Sequence, residues 1–224
     1  MKNYLKPLVG LSVLAVAFAC GSQQPAGAQN PPRSTAGFAP ANLSGLALAT
    51  FAGGCFWAQE EAFEEIKGVK QVVSGYAGGT KANPTYEEVA DKNTGHTETV
   101  QIYYDPKAIS YQQLSDIFFR ASHDPTQLNR QGPDSGPEYR SAVFYRTPEE
   151  KKILEATIAK VNASKEYSGK IVTEVLPFQK FWPAEAYHQG YYRLHPESPY
   201  ITNVSQHKVE HVRQVFAKEL KSPL

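Results

Sequence analysis

Cys55 stands in a setting that suits a reactive thiol. It directly follows Gly53 and Gly54 and directly precedes Phe56 and Trp57, at the point where a strand-like run gives way to a helical pattern. At a helix start, unpaired backbone N–H groups and the positive end of the helix dipole stabilise a thiolate, which lowers the thiol pKa from about 8.5. Burial by the two rings would act in the opposite direction, because desolvation disfavours charge. The sequence therefore predicts a nucleophilic thiol and leaves the direction of its pKa shift open.

Residues 1–19 have the pattern of a secretory signal peptide. Lys2 and Lys6 precede an apolar stretch over residues 8–19, and a small residue then leads into Cys20. The stretch is too short to cross a bilayer as a stable helix. We therefore expect an exported bacterial protein that lies in the periplasm or is anchored to a membrane.

The run AFAC, which ends at Cys20, resembles a bacterial lipoprotein processing site, in which the cysteine becomes the lipidated first residue of the mature chain. Acyl chains at Cys20 would hold the protein on a membrane with about 0.8 kcal/mol for each buried methylene. Cleavage after Ala19 or Ala28 without lipidation is the alternative. The polar composition of residues 20–43 predicts a flexible tether ahead of the folded part.

Cys55 is the single thiol of the mature chain if Cys20 is acylated or removed, since the sequence has only these two cysteines. One thiol cannot close a disulfide within the chain, so Cys55 is not a structural crosslink. The common alternative is a buried cysteine that acts as a small hydrophobe. The glycines before Cys55 and the helix start after it favour the reactive role.

The composition is typical of one globular domain without an unusual charge. The 224 residues are 41% hydrophobic and can bury one substantial core. Lys and Arg number 23 against 22 Asp and Glu, so no strong electrostatic field attracts nucleic acid. We expect a monomer that does not bind nucleic acid and that contacts a membrane only through the lipid.

The chain alternates between strand-like and helix-like segments. We predict strands at residues 46–51, 71–76, 97–104, 141–145 and 171–176, and helices at residues 57–67, 85–90, 207–220 and after capping motifs that begin at Ser110 and Thr147. This order predicts an α+β fold, a two-layer sandwich of the ferredoxin-like split βαβ type with a mixed or antiparallel sheet and helices packed on it. The main domain would span residues 44–204, followed by a C-terminal amphipathic helix in residues 205–224.

Nine short motifs carry a resemblance to a known family. They are GCFW (54–57), GYAGG (75–79), NPTY (83–86), GHTE (95–98), YDP (104–106), HDP (123–125), QGPD (131–134), EYRS (138–141) and YHQ (187–189). In this order they resemble the A-type peptide methionine sulfoxide reductases, over about residues 46–200. Glu138 departs from the pattern, because the family more often has glutamine before the Tyr-Arg-Ser run.

The resemblance implies thiol-dependent reduction of methionine (S)-sulfoxide, in proteins and as the free amino acid. Cys55 matches the nucleophile that attacks the sulfoxide sulfur, Glu98 matches the acid, and Tyr86 and Tyr139 match the phenols that hold the sulfoxide oxygen. The chemistry agrees, because the oxygen leaves only when it is protonated and a soft nucleophile suits the sulfur. An apolar pocket beside a thiolate would raise the pKa of Glu98, so that the two groups titrate as a coupled pair. We therefore expect Glu98 to hold its proton in the resting site.

Five further residues match family positions around the substrate. Phe56 and Trp57 correspond to the pair that forms the pocket for the substrate methyl group, and Asp134, His188 and Tyr191 match positions near the site. Each has a plainer interpretation: adjacent rings at a strand-to-helix corner are often core, and His188 could order the aromatic segment around it.

The sequence predicts no bound cofactor and an external thiol as electron donor. Many members of the family carry recycling cysteines near the C-terminus, whereas residues 200–224 contain none. A sulfenic acid on Cys55 would then be reduced by a thioredoxin-like protein or a small thiol. Cys20 is a conceivable partner only if it is neither removed nor acylated. His207 and His211 stand one helical turn apart, but without a third ligand we predict a solvated helix face and no metal.

Two other functions remain open at this point. A cysteine hydrolase or acyltransferase would also place a thiol at a helix start and would add a histidine base such as His188 or His123. A lipid-anchored binding module without catalysis would use the aromatic segment as a ligand cleft. The first would form an acyl intermediate, and the second would tolerate Cys55→Ala.

Overall fold

A six-stranded mixed sheet forms the centre of the fold in the computed structural model, which describes residues 37–222. The strands in chain order are β1 (Ala47–Gly53), β2 (Val69–Ala77), β3 (Thr97–Tyr104), β4 (Arg130–Gln131), β5 (Asp134–Ser135), β6 (Ser141–Tyr145), β7 (Glu174–Pro177) and β8 (Phe181–Pro183). The two-residue strands β4 and β5 pair only with each other. The other strands follow the order β7-β6-β1-β3-β2-β8 across the sheet.

Helices connect and cover these strands. They are α1 (Phe56–Glu64), α2 (Tyr86–Ala90), α3 (Tyr111–Ile117), α4 (Pro148–Ser164), α5 (Tyr191–Leu194) and α6 (Gln206–Val215). Short 3-10 turns lie at Pro137–Tyr139, Ala186–His188 and Ala217–Glu219, and π-helical turns lie at Phe118–Ser122 and Ile201–Ser205. Within residues 37–222, no helix combines the length and apolarity needed to cross a membrane.

The strand pairing is that of a split βαβ unit. Strands β1 and β2 run in the same direction because both pair antiparallel with β3, which lies between them, and α1 makes the crossover. Strand β6 adds to β1 in the antiparallel direction, which completes the ferredoxin-like arrangement. Strand β7 then extends this edge in parallel with β6, and β8 extends the other edge antiparallel to β2. The predicted α+β fold with a mixed sheet is confirmed.

Both faces of the sheet are buried, so β3 is buried at every position. On one face, the ring of Phe51 in β1 lies 6.0 Å from Phe63 of α1 and 4.9 Å from Phe118, centroid to centroid. On the other face, Phe178 packs against two small clusters that contain Phe144 and Phe181. Each such buried ring contributes about 1.5–3 kcal/mol. This packing fixes the end of β1, from which the thiol of Cys55 projects.

The capping prediction at Ser110 is confirmed, because its hydroxyl accepts from the Gln113 N–H while the Gln113 side chain accepts from the Ser110 N–H. At Thr147 only half of the expected motif forms. The Thr147 hydroxyl accepts from the Glu150 N–H at 3.1 Å, but the Glu150 carboxylate accepts instead from the N–H of Arg146 at 2.5 Å. The Glu150 carboxylate thus accepts from the residue before the N-cap instead of from the N-cap residue itself.

Three predicted boundaries differ from the structure by three residues or more. Helix α1 ends at Glu64, and the chain then passes through Gly68, whose φ is +86°. Helix α6 ends at Val215, where the next residue leaves helical geometry. Strand β7 begins only at Glu174, because the N–H groups of residues 171 and 172 donate to Asn162 and to the Pro125 carbonyl instead of to a neighbouring strand. The predicted signal peptide, the lipidation site and most of the predicted tether lie outside the described residues.

Candidate active site

Gly54 turns the chain between β1 and α1 and delivers Cys55 to the helix start. The backbone φ of Gly54 is +84°, a value that residues with a side chain rarely adopt. A Cβ added at this position would also lie 2.6 Å from the side chain of Gln131. Gln131 cannot easily yield, because its amide accepts from the Asp124 N–H and donates to the Asp124 carbonyl. Cys55 is then the N-cap residue of α1, just before the first turn in which it was expected, and is only 5% exposed.

Glu98 on β3 lies next to this helix start. The backbone N–H of Phe56 donates to Glu98 Oε2 at 3.0 Å, so the carboxyl group occupies the first free donor of α1. Burial raises the pKa of Glu98 to about 8, the Phe56 N–H opposes this rise, and the charges of Asp134 and Glu138 add to it. At neutral pH the acid therefore holds its proton.

Burial also raises the pKa of the Cys55 thiol well above its ordinary value. The charge of Glu98 adds to the rise, whereas the positive charge of Lys208 and a hydrogen bond with Tyr200 oppose it. Desolvation thus outweighs the helix start, which answers the question that the sequence left open. The resting site pairs a thiol with a carboxylic acid.

Tyr139 lies close to both reacting groups. Burial raises the pKa of its phenol, and the next two causes are the charges of Glu98 and Cys55. Tyr86 is held at the start of α2, where its backbone N–H donates to Glu185 at 3.1 Å and its ring centroid lies 4.6 Å from that of His188. Of the two phenols expected to hold an oxygen atom, Tyr139 thus neighbours the thiol and the acid, and Tyr86 is linked to them through His188, whose ring also contacts Phe56.

An aromatic cluster surrounds the thiol. The indole of Trp57 stacks on Tyr191 with centroids 3.8 Å apart and the planes 11° from parallel, and its N–H donates to His188 Nδ1 at 3.2 Å. The ring of Phe56 lies 4.9 Å from His188 and 5.9 Å from Tyr76. His188 thus acts first as a spacer that fixes both rings, the structural role that the sequence allowed.

The structure brings together every predicted site residue that it describes. These residues are Cys55, Phe56, Trp57, Tyr86, Glu98, Asp134, Tyr139, His188 and Tyr191, and they come from α1 and its N-cap, α2, α5, β3, β5 and two 3-10 turns. Cys20 lies outside the described part of the chain.

Two residues of this site were missed. The hydroxyl of Tyr200 donates to Asp134 Oδ2 at 2.6 Å and also bonds with Cys55. Lys208 brings its ammonium group beneath Gly54, where a Cβ on that glycine would lie 3.6 Å from Nζ. A signal existed for Lys208, because it shares a helix face with the buried residues Ser205 and Val212, three positions before and four after.

Two further histidines of the matched motifs, His96 and His123, make hydrogen bonds within the scaffold. His123 bonds through Nδ1 to the Phe118 carbonyl and through Nε2 to the Ser141 hydroxyl, and burial lowers its pKa to about 3. His96 accepts from the Gly79 N–H and contacts the Lys81 carbonyl. With both nitrogens engaged, His123 is poorly placed to serve as the base of a cysteine hydrolase.

No group of three or more potential metal ligands from His, Cys, Asp and Glu occurs within residues 37–222. In the helical pair considered for chelation, His211 bonds through Nδ1 to the Ala121 carbonyl at 3.2 Å.

Comparison with known proteins gives a consistent result. The family model described as peptide methionine sulfoxide reductase matches residues 47–220. The chain is 47% identical over 176 residues to the peptide methionine sulfoxide reductase MsrA of Natronomonas pharaonis, covering 79% of this chain and 98% of that protein. It is 48% identical over 174 residues to the MsrA of Thermus thermophilus, covering 78% and 97% of the two chains.

Solved structures agree with the sequence relatives. The reduced form of Mxr1 from Saccharomyces cerevisiae superposes with a TM-score of 0.64 at 33% identity, covering 70% of this chain and 90% of that one. Methionine sulfoxide reductase A of Corynebacterium diphtheriae superposes with a TM-score of 0.63 at 34% identity, covering 75% and 83%.

Proposed function

The chain belongs to the peptide methionine sulfoxide reductase family, and from this premise we propose that Cys55 is its nucleophile and Glu98 its acid. The protein is a thiol-dependent oxidoreductase that returns methionine (S)-sulfoxide to methionine and so repairs oxidised proteins. The observation that carries the residue assignment is the 3.0 Å hydrogen bond from the Phe56 N–H to Glu98, which holds a buried carboxyl beside the thiol.

The proposed step transfers one oxygen atom and two electrons. Glu98 gives its proton to the sulfoxide oxygen while the Cys55 sulfur attacks the sulfoxide sulfur, and the proton of the thiol passes to Glu98. Attack forms a bond between the two sulfur atoms; this bond and the sulfur–oxygen bond of the substrate then break as the hydroxyl group passes to the Cys55 sulfur, which becomes a sulfenic acid. The sulfoxide is reduced to a thioether, and Cys55 is oxidised.

The remaining residues act on binding. Tyr86 and Tyr139 hold the sulfoxide oxygen through their hydroxyl groups in this proposal. The charges of Glu98 and Cys55 act on Tyr139, and the ring of Tyr86 lies against His188, whose ring also contacts Phe56. The rings of Phe56 and Trp57 enclose the substrate methyl group, and the stack of Trp57 on Tyr191 keeps its indole in place.

An external thiol completes the cycle in this proposal. Cys55 is the free cysteine of residues 37–222, and the sequence after residue 200 contains no other. One thiol condenses with the sulfenic acid, which releases water and leaves a mixed disulfide, and a second thiol restores Cys55. A thioredoxin-like protein or a small thiol would supply both.

Export and lipidation at Cys20 are part of the proposal and rest on the sequence of residues 1–28 alone. Mass analysis of the mature N-terminus separates an acylated Cys20 from simple cleavage after Ala19 or Ala28.

The deciding assay supplies the separated epimers of a methionine sulfoxide peptide with dithiothreitol and follows the loss of oxygen by mass. We expect loss from the S epimer only, and none with Cys55→Ser. Without dithiothreitol, each enzyme molecule should reduce one sulfoxide and stop. Reduction of neither epimer by the wild-type protein would overturn the proposed function, and a trapped acyl intermediate would favour a cysteine hydrolase instead.

A further inference from the structure

Lys208 carries a buried positive charge that the sequence did not assign to the site. Its Nζ is inaccessible to solvent and has no hydrogen-bond partner among residues 37–222. Helix α6 holds it there, because the neighbouring positions Val209 and Val212 are buried. Burying an ammonium group without a partner opposes folding. Its position beneath Gly54 therefore calls for a reason other than stability.

The groups that face Lys208 are mainly acids with pKa values raised by burial. Several titratable groups face Cys55 or Lys208. They are Glu98 on β3, Asp134 on β5, His123 after the π-helical turn, Asp124, Tyr139, Tyr167 and Tyr200, with His207 and His211 on α6 itself. The charge of Lys208 lowers the pKa values of Cys55, Glu98 and Asp134. In the resting site Cys55 and Glu98 hold protons. Burial of Asp124 is instead outweighed by hydrogen bonds from Thr126 and Gln127, which lower its pKa. Neither reacting group therefore carries a negative charge that compensates the cation.

The reaction needs negative charge to develop on the Cys55 sulfur as the thiol loses its proton and Glu98 gives its own proton to the sulfoxide oxygen. The usual source of help, the first N–H of the helix, is already engaged, because Phe56 donates it to Glu98. Among the groups that favour the thiolate, the charge of Lys208 has the largest effect, ahead of the Tyr200 hydroxyl. The charge of Lys208 also lowers the pKa of Glu98, but there the hydrogen bond from the Phe56 N–H has the larger effect. The cation is thus the leading group that favours the thiolate, whereas for the acid a hydrogen bond is the leading group that favours the charged form.

We propose that Lys208 is a positioning residue for Cys55, whose fixed positive charge stabilises the thiolate as it forms during attack. The proposal rests on the nucleophilic role of Cys55 proposed above. Lys208 exchanges no proton in the step. It balances the charge that develops on the sulfur, which desolvation would otherwise oppose.

The test is the pH dependence of Cys55 alkylation by iodoacetamide in the full-length protein, followed by mass on the peptide that contains Cys55. Lys208→Met keeps the length of the side chain without its charge, Lys208→Arg keeps the charge, and Lys218→Met removes an exposed lysine of the same C-terminal region. We expect the Lys208→Met midpoint to rise by about one pH unit, with alkylation about tenfold slower below it. Lys208→Arg and Lys218→Met should stay near wild type.

A thermal midpoint separates this role from a structural one. If Lys208 serves the thiolate at the expense of folding, Lys208→Met should unfold at the wild-type temperature or above it while its thiol reacts more slowly. An alkylation profile of Lys208→Met that coincides with wild type would overturn the proposal, as would equal slowing by Lys208→Met and Lys208→Arg. Because alkylation uses no sulfoxide, this outcome is independent of whether the wild-type protein reduces methionine sulfoxide.

Discussion

Two buried glutamates contact the region of helix α1, Glu60 from within the helix and Glu98 from β3, and their surroundings differ. Glu60, on α1 itself, accepts from the Ser74 hydroxyl at 2.5 Å and from the Gly190 N–H at 2.6 Å, with Arg193 nearby. Glu98, at the start of α1, accepts from the Phe56 N–H and has Asp134 and Glu138 as further neighbours. Burial raises the pKa to about 7 for Glu60 and to about 8 for Glu98.

The difference separates a structural carboxyl from a chemical one. Glu60 ties α1 to β2 and to the residue before α5, and its donors favour the charged form. Glu98 has fewer donors and more acidic neighbours, which favour the protonated form beside a thiol. Burial alone does not distinguish the two roles, since both residues are almost completely buried. The partners do.

The largest expected effect is on catalysis by Glu98→Gln. The amide oxygen can still accept from the Phe56 N–H, but the side chain has no acidic proton to give, so we expect reduction of the S-sulfoxide peptide to slow by about 10²- to 10⁴-fold. Glu60→Gln is the matched control and should reduce the peptide at close to the wild-type rate. A Glu98→Gln rate within a few-fold of wild type would show that the acid has been assigned wrongly.

Ser74→Ala tests the structural half of the comparison. It removes the hydroxyl that donates to Glu60, and a buried carboxylate that loses such a bond should lower the free energy of unfolding by about 1.5–3 kcal/mol. Urea denaturation at pH 8 measures this loss. The loss should be smaller at pH 5, because the Ser74 bond lowers the pKa of Glu60 and so stabilises mainly the charged form. Equal losses at both pH values would contradict this account.

The pH dependence of stability compares the two carboxyls directly. Both folded-state pKa values are raised from 4.5, so the folded protein holds protons that the unfolded chain releases. Their contribution to stability is therefore full below about pH 4.5 and is lost as the pH rises through about 7 for Glu60 and about 8 for Glu98. The urea concentration at the unfolding midpoint of the wild-type protein should therefore decrease from pH 5 to pH 7 and again to pH 9.

The two variants should flatten this fall to different extents. Glu98→Gln removes the larger shift, so its midpoints should change less between pH 5 and 9 than those of Glu60→Gln. The reverse order would mean that the acidic neighbours of Glu98 matter less than its burial.

The sequence predicted most of the fold because the decisive signals are local. The capping residues at Ser110 and the alternation in β3 act over a few positions, and the predicted 97–104 strand has the observed bounds. Boundaries failed where a distant group intervened, as when the Pro125 carbonyl takes the N–H of Val172 out of the last predicted strand.

The site was predicted only where a motif marked it. Glu98 was found through the motif that contains it, since a charged residue in a strand would otherwise be interpreted as solvated. Tyr200 and Lys208 stand at or beyond the end of the matched motifs, and each reaches the thiol from a segment more than 140 residues later in the chain. The helix face of Lys208 could be read from the sequence, but the approach of Tyr200 and α6 to the start of α1 depends on tertiary packing, which no local pattern reveals.

The smallest expected effect on the reactivity of Cys55 is that of Tyr200, a neutral residue that bonds with the thiol at the end of α1 where Glu98 lies. Its hydroxyl donates to Asp134 at 2.6 Å and bonds with Cys55, where it favours the thiolate. Tyr200→Phe removes one neutral hydrogen bond while the charge of Lys208 stays, so alkylation of Cys55 and sulfoxide reduction should each slow by a factor of about 2 to 10.

Tyr145→Phe is the control for Tyr200→Phe, because this tyrosine lies on β6 with its ring near Lys151. The alkylation midpoint of Tyr200→Phe should rise by less than that of Lys208→Met, since a hydrogen bond to a hydroxyl is weaker than a desolvated charge. A larger rise for Tyr200→Phe would mean that the thiolate depends on the hydroxyl network through Asp134 rather than on the buried cation. The thiol side of α1 would then resemble the Glu60 side, where hydrogen bonds hold the charge.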